Sequence, residues 1–178
     1  MGKSFYPDAW AVSAFDIDYQ KMYDRGFRGI IYDIDNTLVY PNAPADERAA
    51  ALFQRLRDIG FRTVILSNNT GKRALTFAEQ VASPAVTGAL KPFPGRYRDA
   101  VTKMGIRPQE TFFVGDQIYT DIWGANNAGL YCILTLPLTD REEFWIRWKR
   151  LLERPVITKI RKTLGEPQRR GGTHAGST

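Results

Sequence analysis

The chain has 178 residues, 43% of them hydrophobic and 25% charged, with a formal net charge of +6. That is the size and composition of one soluble globular domain, and its basic excess suits an anionic partner such as a phosphate ester, a lipid surface or nucleic acid. One cysteine, Cys132, and one histidine, His174, exclude an internal disulfide and leave no material for a Cys or His zinc site or a Ser-His-Asp triad, so catalysis must rest on carboxylates, hydroxyls and lysines.

Residues 1–27 read as short helix and loop whose Tyr6, Trp10, Phe15, Tyr19 and Phe27 pack on the domain. Asp8, Asp16, Asp18 and Asp24 interrupt any apolar run there, so no signal peptide is expected. Tyr6 stands where a myristoylation signal needs Ser or Thr. No stretch approaches the roughly 18–20 apolar residues of a membrane span, and the cytoplasm is the expected compartment.

An alternating pattern follows. Gly29–Tyr32 is a short apolar strand. Ala45, Ala49, Leu52, Phe53, Leu56 and Ile59 share one helical face, with Pro44 fitting an early helix position and Gly60 the stop. Thr63–Leu66 is the second strand, and Ala74, Leu75, Ala78, Val81 and Ala82 mark a helix. A short strand at Ala85–Thr87 and a helix from Pro94 burying Tyr97, Ala100, Val101 and Met104 come next. Thr111–Val114 is a strand, Ile118–Asn127 a helix and Tyr131–Leu134 the last strand. The alternation predicts an α/β, Rossmann-like three-layer sandwich with a parallel sheet of about five strands. The core is expected over 28–140, basic amphipathic helices over 141–164 and a disordered tail over 165–178.

Ligand sites in such sheets lie beyond the carboxyl ends of the strands, and polar residues collect there. Asp33 and Asp35 follow the first strand. Two carboxylates beside a buried strand call for compensation, and Mg²⁺, an oxygen-seeking cation, supplies it; Asp-Ile-Asp-Asn also suits a plain solvated turn. Ser67 and Asn68 follow the second strand, where a hydroxyl and free amides fit phosphoryl oxygens, or simply an ordinary helix start. Lys91 precedes Pro92, which by itself means nothing; opposite clustered carboxylates a lysine can neutralise both nucleophile and phosphate. Gly115 and Asp116 follow the fourth strand, with Asp121 five residues on, facing solvent or else orienting water or Lys91.

Taken in order, Asp33-x-Asp35-x-Thr37, Ser67 at a strand end, Lys91-Pro92 and Gly115-Asp116-(x)4-Asp121 resemble the four motifs of the haloacid dehalogenase (HAD) superfamily over residues 28–135. Within it the chain is similar to subclass IIIA proteins of the YqeG type, including the opening Phe5-Tyr6-Pro7-Asp8. The resemblance implies a phosphatase in which Asp33 attacks phosphorus and forms an aspartyl-phosphate. Asp35 would act as general acid and then base. Asp33, the carbonyl of Asp35 and Asp116 would hold Mg²⁺. Ser67, Lys91 and loop amides would bind the equatorial oxygens, with Thr37 bracing the first loop. Related eukaryotic proteins dephosphorylate phosphatidylglycerophosphate, so the resemblance makes that lipid the first-choice substrate. A soluble sugar phosphate or nucleotide is the alternative, followed by a non-catalytic binding protein; no nucleic acid is expected as partner.

Two phosphate-binding lookalikes are set aside. Thr70-Gly71-Lys72-Arg73 lacks the glycine spacing and the following hydroxyl of a P-loop, and Gly2-Lys3-Ser4 has no strand before it. The spacings from Asp35 to Ser67 and from Ser67 to Lys91 leave no room for a cap domain, so an open site is expected. After the last strand, Phe144, Trp145, Trp148, Leu151 and Leu152 lie opposite Arg147, Lys149, Arg150 and Arg154. This is the pattern either of a last core helix or of an interfacial membrane helix. Val156, Ile157, Ile160 and Leu164, interleaved with Lys159, Arg161 and Lys162, favour peripheral contact with an anionic membrane.

Overall fold

The computed structural model describes residues 5–69, 71–138 and 144–169, with only the main chain for 144–152. Six parallel strands form one sheet: β1 (Ala9–Ala11), β2 (Gly29–Tyr32), β3 (Arg62–Leu66), β4 (Ala85–Val86), β5 (Thr111–Gly115) and β6 (Tyr131–Thr135). Their order across the sheet is β1-β6-β5-β2-β3-β4. The helices are α1 (Tyr19–Asp24), α2 (Glu47–Ile59), α3 (Lys72–Gln80), α4 (Gly95–Met104), α5 (Trp123–Asn127) and α6 (Phe144–Leu164).

Side chains alternate across the strands with period two. Ile30, Tyr32, Ile65, Phe112, Val114 and Ile133 face one core with α1, α2 and α3. Ile31, Val64, Leu66, Phe113, Cys132 and Leu134 face the other with α4, α5 and Ile160 of α6. Burial on both faces explains why the strands read as short continuous apolar runs. The direction of travel reverses at β2: β3 and β4 lie to one side and β5 to the other. The crevice beyond the carboxyl ends of β2 and β5 is therefore the switch point of the sheet.

Several expectations are corrected. The sheet has a sixth strand, because Ala9–Ala11 lies parallel to Ile133–Thr135; three residues carry too little alternation to be read as a strand. Gln168 donates its main-chain N–H to Trp10 O at 3.0 Å and accepts from Val12 N at 2.9 Å, so the predicted tail is ordered through residue 169, while 170–178 lie outside the described residues. Helix α2 begins only after Asp46, whose carboxylate caps Ala49 N–H at 2.8 Å. Leu75, expected on the buried face of α3, is 48% exposed, and Phe77 takes the buried place. The segment after β5 opens with a π-helical turn, Ile118–Ile122, before α5.

Pro155 does not divide the C-terminal segment; α6 is one helix with the proline inside it. Its second half does not offer an apolar face outward. Ile160 is buried, and Val156 and Ile157 pack against the same core. Lys159 lies 4.9 Å from the Tyr6 ring centroid and Arg161 5.9 Å from that of Trp10. Of the apolar positions expected to meet a membrane, Val156, Ile157 and Ile160 are spent on the fold, while Leu164 stays exposed. The side chains of 144–152, the first half of the expected amphipathic segment, lie outside the described residues.

Candidate active site

The carboxyl ends of β2 and β5 bring the predicted acids together. The Asp33 main-chain N–H donates to Val114 O at 3.0 Å, which fixes the start of the first loop against β5. Lys91 reaches across from the loop after β4. Its Nζ donates to Asp33 Oδ1 at 2.6 Å and to Asp121 Oδ1 at 2.8 Å, and the lysine side chain is 2% exposed. The Lys91–Pro92 peptide is cis. Asn68 Oδ1 accepts the Lys91 main-chain N–H at 2.9 Å and so anchors that loop to the one after β3.

Asp121 is not solvent-facing. Its second oxygen accepts the N–H groups of Asp116 and Gln117 at 3.2 and 3.1 Å. It thus shapes the loop carrying Asp116 and, through its other oxygen, steadies Lys91. Gly115 is needed for this approach: a Cβ there would fall 2.6 Å from Asp121 Oδ2 and 2.7 Å from the Phe113 ring. The glycine gives room to a carboxylate more than it eases a turn. Thr37, fully buried, donates from Oγ1 to Asp116 Oδ1 at 3.3 Å and links the first motif to the fourth. Ser67 is buried, and its Oγ accepts Asn69 N–H at 3.2 Å.

One carboxylate oxygen from each of Asp33, Asp116 and Asp121 lies within 4.8 Å of the others. Three carboxylates against one ammonium leave an excess of buried negative charge, which a divalent cation relieves. The all-oxygen donor set fits a hard cation such as Mg²⁺. Asp121 already spends both oxygens on Lys91 and two amides, which leaves Asp33 and Asp116 as the better ligands. Burial pushes the Asp33 carboxyl up to about 7, against the pull of Lys91 and helped by the charges of Asp121 and Asp35. Burial alone would favour neutral Lys91, but Asp121 and Asp33 outweigh it and hold the amine above the usual lysine range.

Asp35 stands apart from this cluster. Its carboxylate is 38% exposed and forms a two-pronged ion pair with Arg73, at 3.0 and 2.8 Å. It also accepts Asn42 N–H at 2.9 Å. Arg73 further donates to Ala43 O at 3.0 Å, so it clamps the whole first loop. Sequence reading passed over Arg73, met only in the segment rejected as a P-loop. Glu153 of α6 was missed too. It is buried, and its Oε1 accepts the N–H of Ile118 at 2.7 Å, tying the C-terminal helix to the turn that carries Asp121. A lone glutamate in a basic helix gives no warning of this from spacing alone.

Residues 42–129 match the family of haloacid dehalogenase-like hydrolases, a span that takes in Ser67, Lys91 and Asp116 and begins just after Asp33 and Asp35. A Bacillus subtilis protein described as probable phosphatase YqeG is 32% identical over 161 residues, 90% of this chain and 94% of that protein. A chloroplastic and mitochondrial phosphatidylglycerophosphate phosphatase 1 of Arabidopsis thaliana is 28% identical over 83% of this chain, which spans only 46% of that protein. Among solved structures, a HAD-superfamily subfamily IIIA hydrolase of Legionella pneumophila aligns with TM-score 0.51 at 14% identity, over 68% of this chain and 72% of that one. The last shows a shared fold. The chain belongs to the haloacid dehalogenase-like hydrolases.

Proposed function

We propose that the chain is a phosphomonoester hydrolase that uses Asp33 as its nucleophile and requires a divalent cation, Mg²⁺. The observation that carries this reading is the set of Asp33, Lys91, Asp116 and Asp121 at the switch point, held within a few ångströms by loops from different strands. Asp33 Oδ attacks phosphorus in line; the P–O bond to the leaving group breaks, and an aspartyl-phosphate forms. Asp35 gives its proton to the departing alkoxide, then takes one from the water that cleaves the acyl phosphate. Lys91, Ser67 and neighbouring loop amides bind the equatorial oxygens, whose charge shifts in the transition state. Asp33, Asp116 and the Asp35 carbonyl would hold the cation, which supplies positive charge between anionic nucleophile and anionic substrate.

The substrate we favour is a phosphorylated lipid headgroup, with phosphatidylglycerophosphate first. Two features support it: likeness to relatives named for that activity, and a first loop that runs from β2 to α2 with no inserted domain to enclose a small substrate. Such an enzyme would work in the cytoplasm, on the inner membrane surface. Among the described residues no helix is long and apolar enough to cross a membrane.

The test is phosphate release from phosphatidylglycerophosphate in mixed micelles with Mg²⁺, beside glycerol phosphate, a sugar phosphate and a nucleotide. Turnover of the lipid above the soluble esters, reduced on the order of 10⁴-fold in Asp33→Asn, is the expected result. Preference for a soluble ester would move the substrate assignment and keep the enzyme. Turnover of none would remove the phosphatase reading.

A further inference from the structure

We propose that the carboxyl edge of the sheet is itself a bilayer-docking face, on which Tyr40, Leu75, Leu90 and Phe93 enter the interfacial layer of an anionic membrane beside the catalytic crevice. The proposal rests on the phosphatase reading and adds to it the surface that meets the lipid. Six large hydrophobic side chains are exposed among the described residues, and these are four of them, at 61%, 48%, 71% and 70%. The other two, Tyr6 and Leu164, line a separate groove of about 270 Å³ at the end of α6. Tyr40 lies after β2, Leu75 in the first turn of α3 after β3, and Leu90 and Phe93 after β4. Those three strands are neighbours and parallel, so the four residues leave the sheet on one edge. It is the edge from which a phosphate must reach Asp33.

Two further observations separate this patch from scattered apolar surface, which is ordinary. Leu90 has φ of 49°, a left-handed conformation unfavourable for any side chain but glycine. The turn it makes, closed by Phe93 N–H to Leu90 O at 3.1 Å, leaves both side chains exposed at either end of the buried Lys91 and its following Pro92. The charges also run against helix preference. First turns favour acids, yet neither α3 nor α4 has an acid in its first turn; Arg73 there is paired with Asp35 and Arg96 with Asp99, while Lys72 opens α3 and Arg98 lies in the first turn of α4. Cations therefore border the apolar patch. An apolar patch with an interfacial tyrosine and flanking Lys and Arg is complementary to anionic lipid, not to a neutral surface or a second basic copy of this chain.

The experiment is co-sedimentation of the full chain with phosphatidylcholine vesicles and with vesicles containing phosphatidylglycerol. Three proteins are compared: native, the rim variant Tyr40→Ser/Leu90→Asn/Phe93→Ser, and Lys159→Gln/Lys162→Gln in α6. The expected result is preference of the native chain for phosphatidylglycerol vesicles, lost about tenfold or more in the rim variant and kept in the α6 variant. Thermal unfolding checks the fold, and Phe93→Ser alone, at an exposed position, is the second variant, expected to lose part of the binding. A rim variant that binds like the native chain overturns the proposal. So does loss confined to the α6 variant, a native chain that ignores both vesicles, or a rim variant altered only in self-association. Hydrolysis of p-nitrophenyl phosphate by the native chain reads the catalytic site separately. Turnover without vesicle binding sinks the docking face alone, and vesicle binding without turnover sinks the phosphatase reading alone.

Discussion

Arg73 decides how Asp35 can work. The two-pronged contact with Arg73 fixes the direction in which the Asp35 carboxylate points. To serve as acid in the first step it must carry a proton and turn that proton from the Arg73 side to the leaving-group oxygen. Arg73 is then a positioning residue, and its removal should matter only where the leaving group needs a proton. Arg73→Ala is expected to slow hydrolysis of alkyl phosphates by about tenfold or more and to leave p-nitrophenyl phosphate, whose leaving group departs unaided, nearly unchanged. Equal losses on both substrates would reduce Arg73 to a brace for the loop. The partly exposed pair contributes little stability in itself, about 0–1 kcal/mol. Gly115 offers a second test at this scale. Gly115→Ala should displace the Asp121 carboxylate that contacts Lys91, and reduce turnover without changing the residues that touch substrate.

Among the elements, the C-terminal helix is tied to the loop after β5 by a buried hydrogen bond. Glu153 accepts from Ile118 N–H in a fully buried setting, so Glu153→Ala leaves a buried donor unsatisfied. A loss of about 1–3 kcal/mol is expected by thermal or urea unfolding. Glu153→Gln retains an acceptor and should lose less; an Ala variant as stable as the native chain would contradict the coupling. The elements also show where sequence reading succeeds and stops. Strands β2 to β6 are legible because apolar runs end in polar clusters, and helices α2 and α4 because their buried residues keep helical spacing. β1 is three residues long and gains its place by pairing with β6, a partner more than a hundred residues away. The amphipathic pattern of α6 was legible as a pattern, but hydrophobic spacing is the same whether a helix packs on a sheet or lies on a lipid surface. Asp33, Ser67 and Asp116 could be read as candidates because each follows a strand, and Lys91 only because Lys91-Pro92 falls in the order of the resembled motifs. Arg73 and Glu153 could not, because their partners are set by tertiary contact alone.

For the whole molecule, the buried acids make stability depend jointly on pH and cation. Asp33 is raised from 3.8 to about 7 in the folded chain. Between those values the folded state, without a cation, holds a proton that the unfolded chain has released. The stability this group contributes is complete below 3.8 and is lost as pH rises through about 7. A divalent cation competes with that proton, so it should stabilise more on the alkaline side of the window. Mg²⁺ at a hundred times its Kd adds about 2.7 kcal/mol, or about 2–4 °C in Tm for each kcal/mol in a chain of this size. Calorimetry should find the shift larger near about pH 8 than near about pH 5; a shift independent of pH would argue that Asp33 does not hold the ion. The chemistry turns on the nucleophile. The native chain should be mixed with a radiolabelled phosphate ester and Mg²⁺, quenched in acid within one turnover and digested. The expected label sits on the peptide containing Asp33, is released by hydroxylamine as an acyl phosphate is, and is missing in Asp33→Asn. Steady turnover with no label on that peptide, and undiminished in Asp33→Asn, would contradict the account.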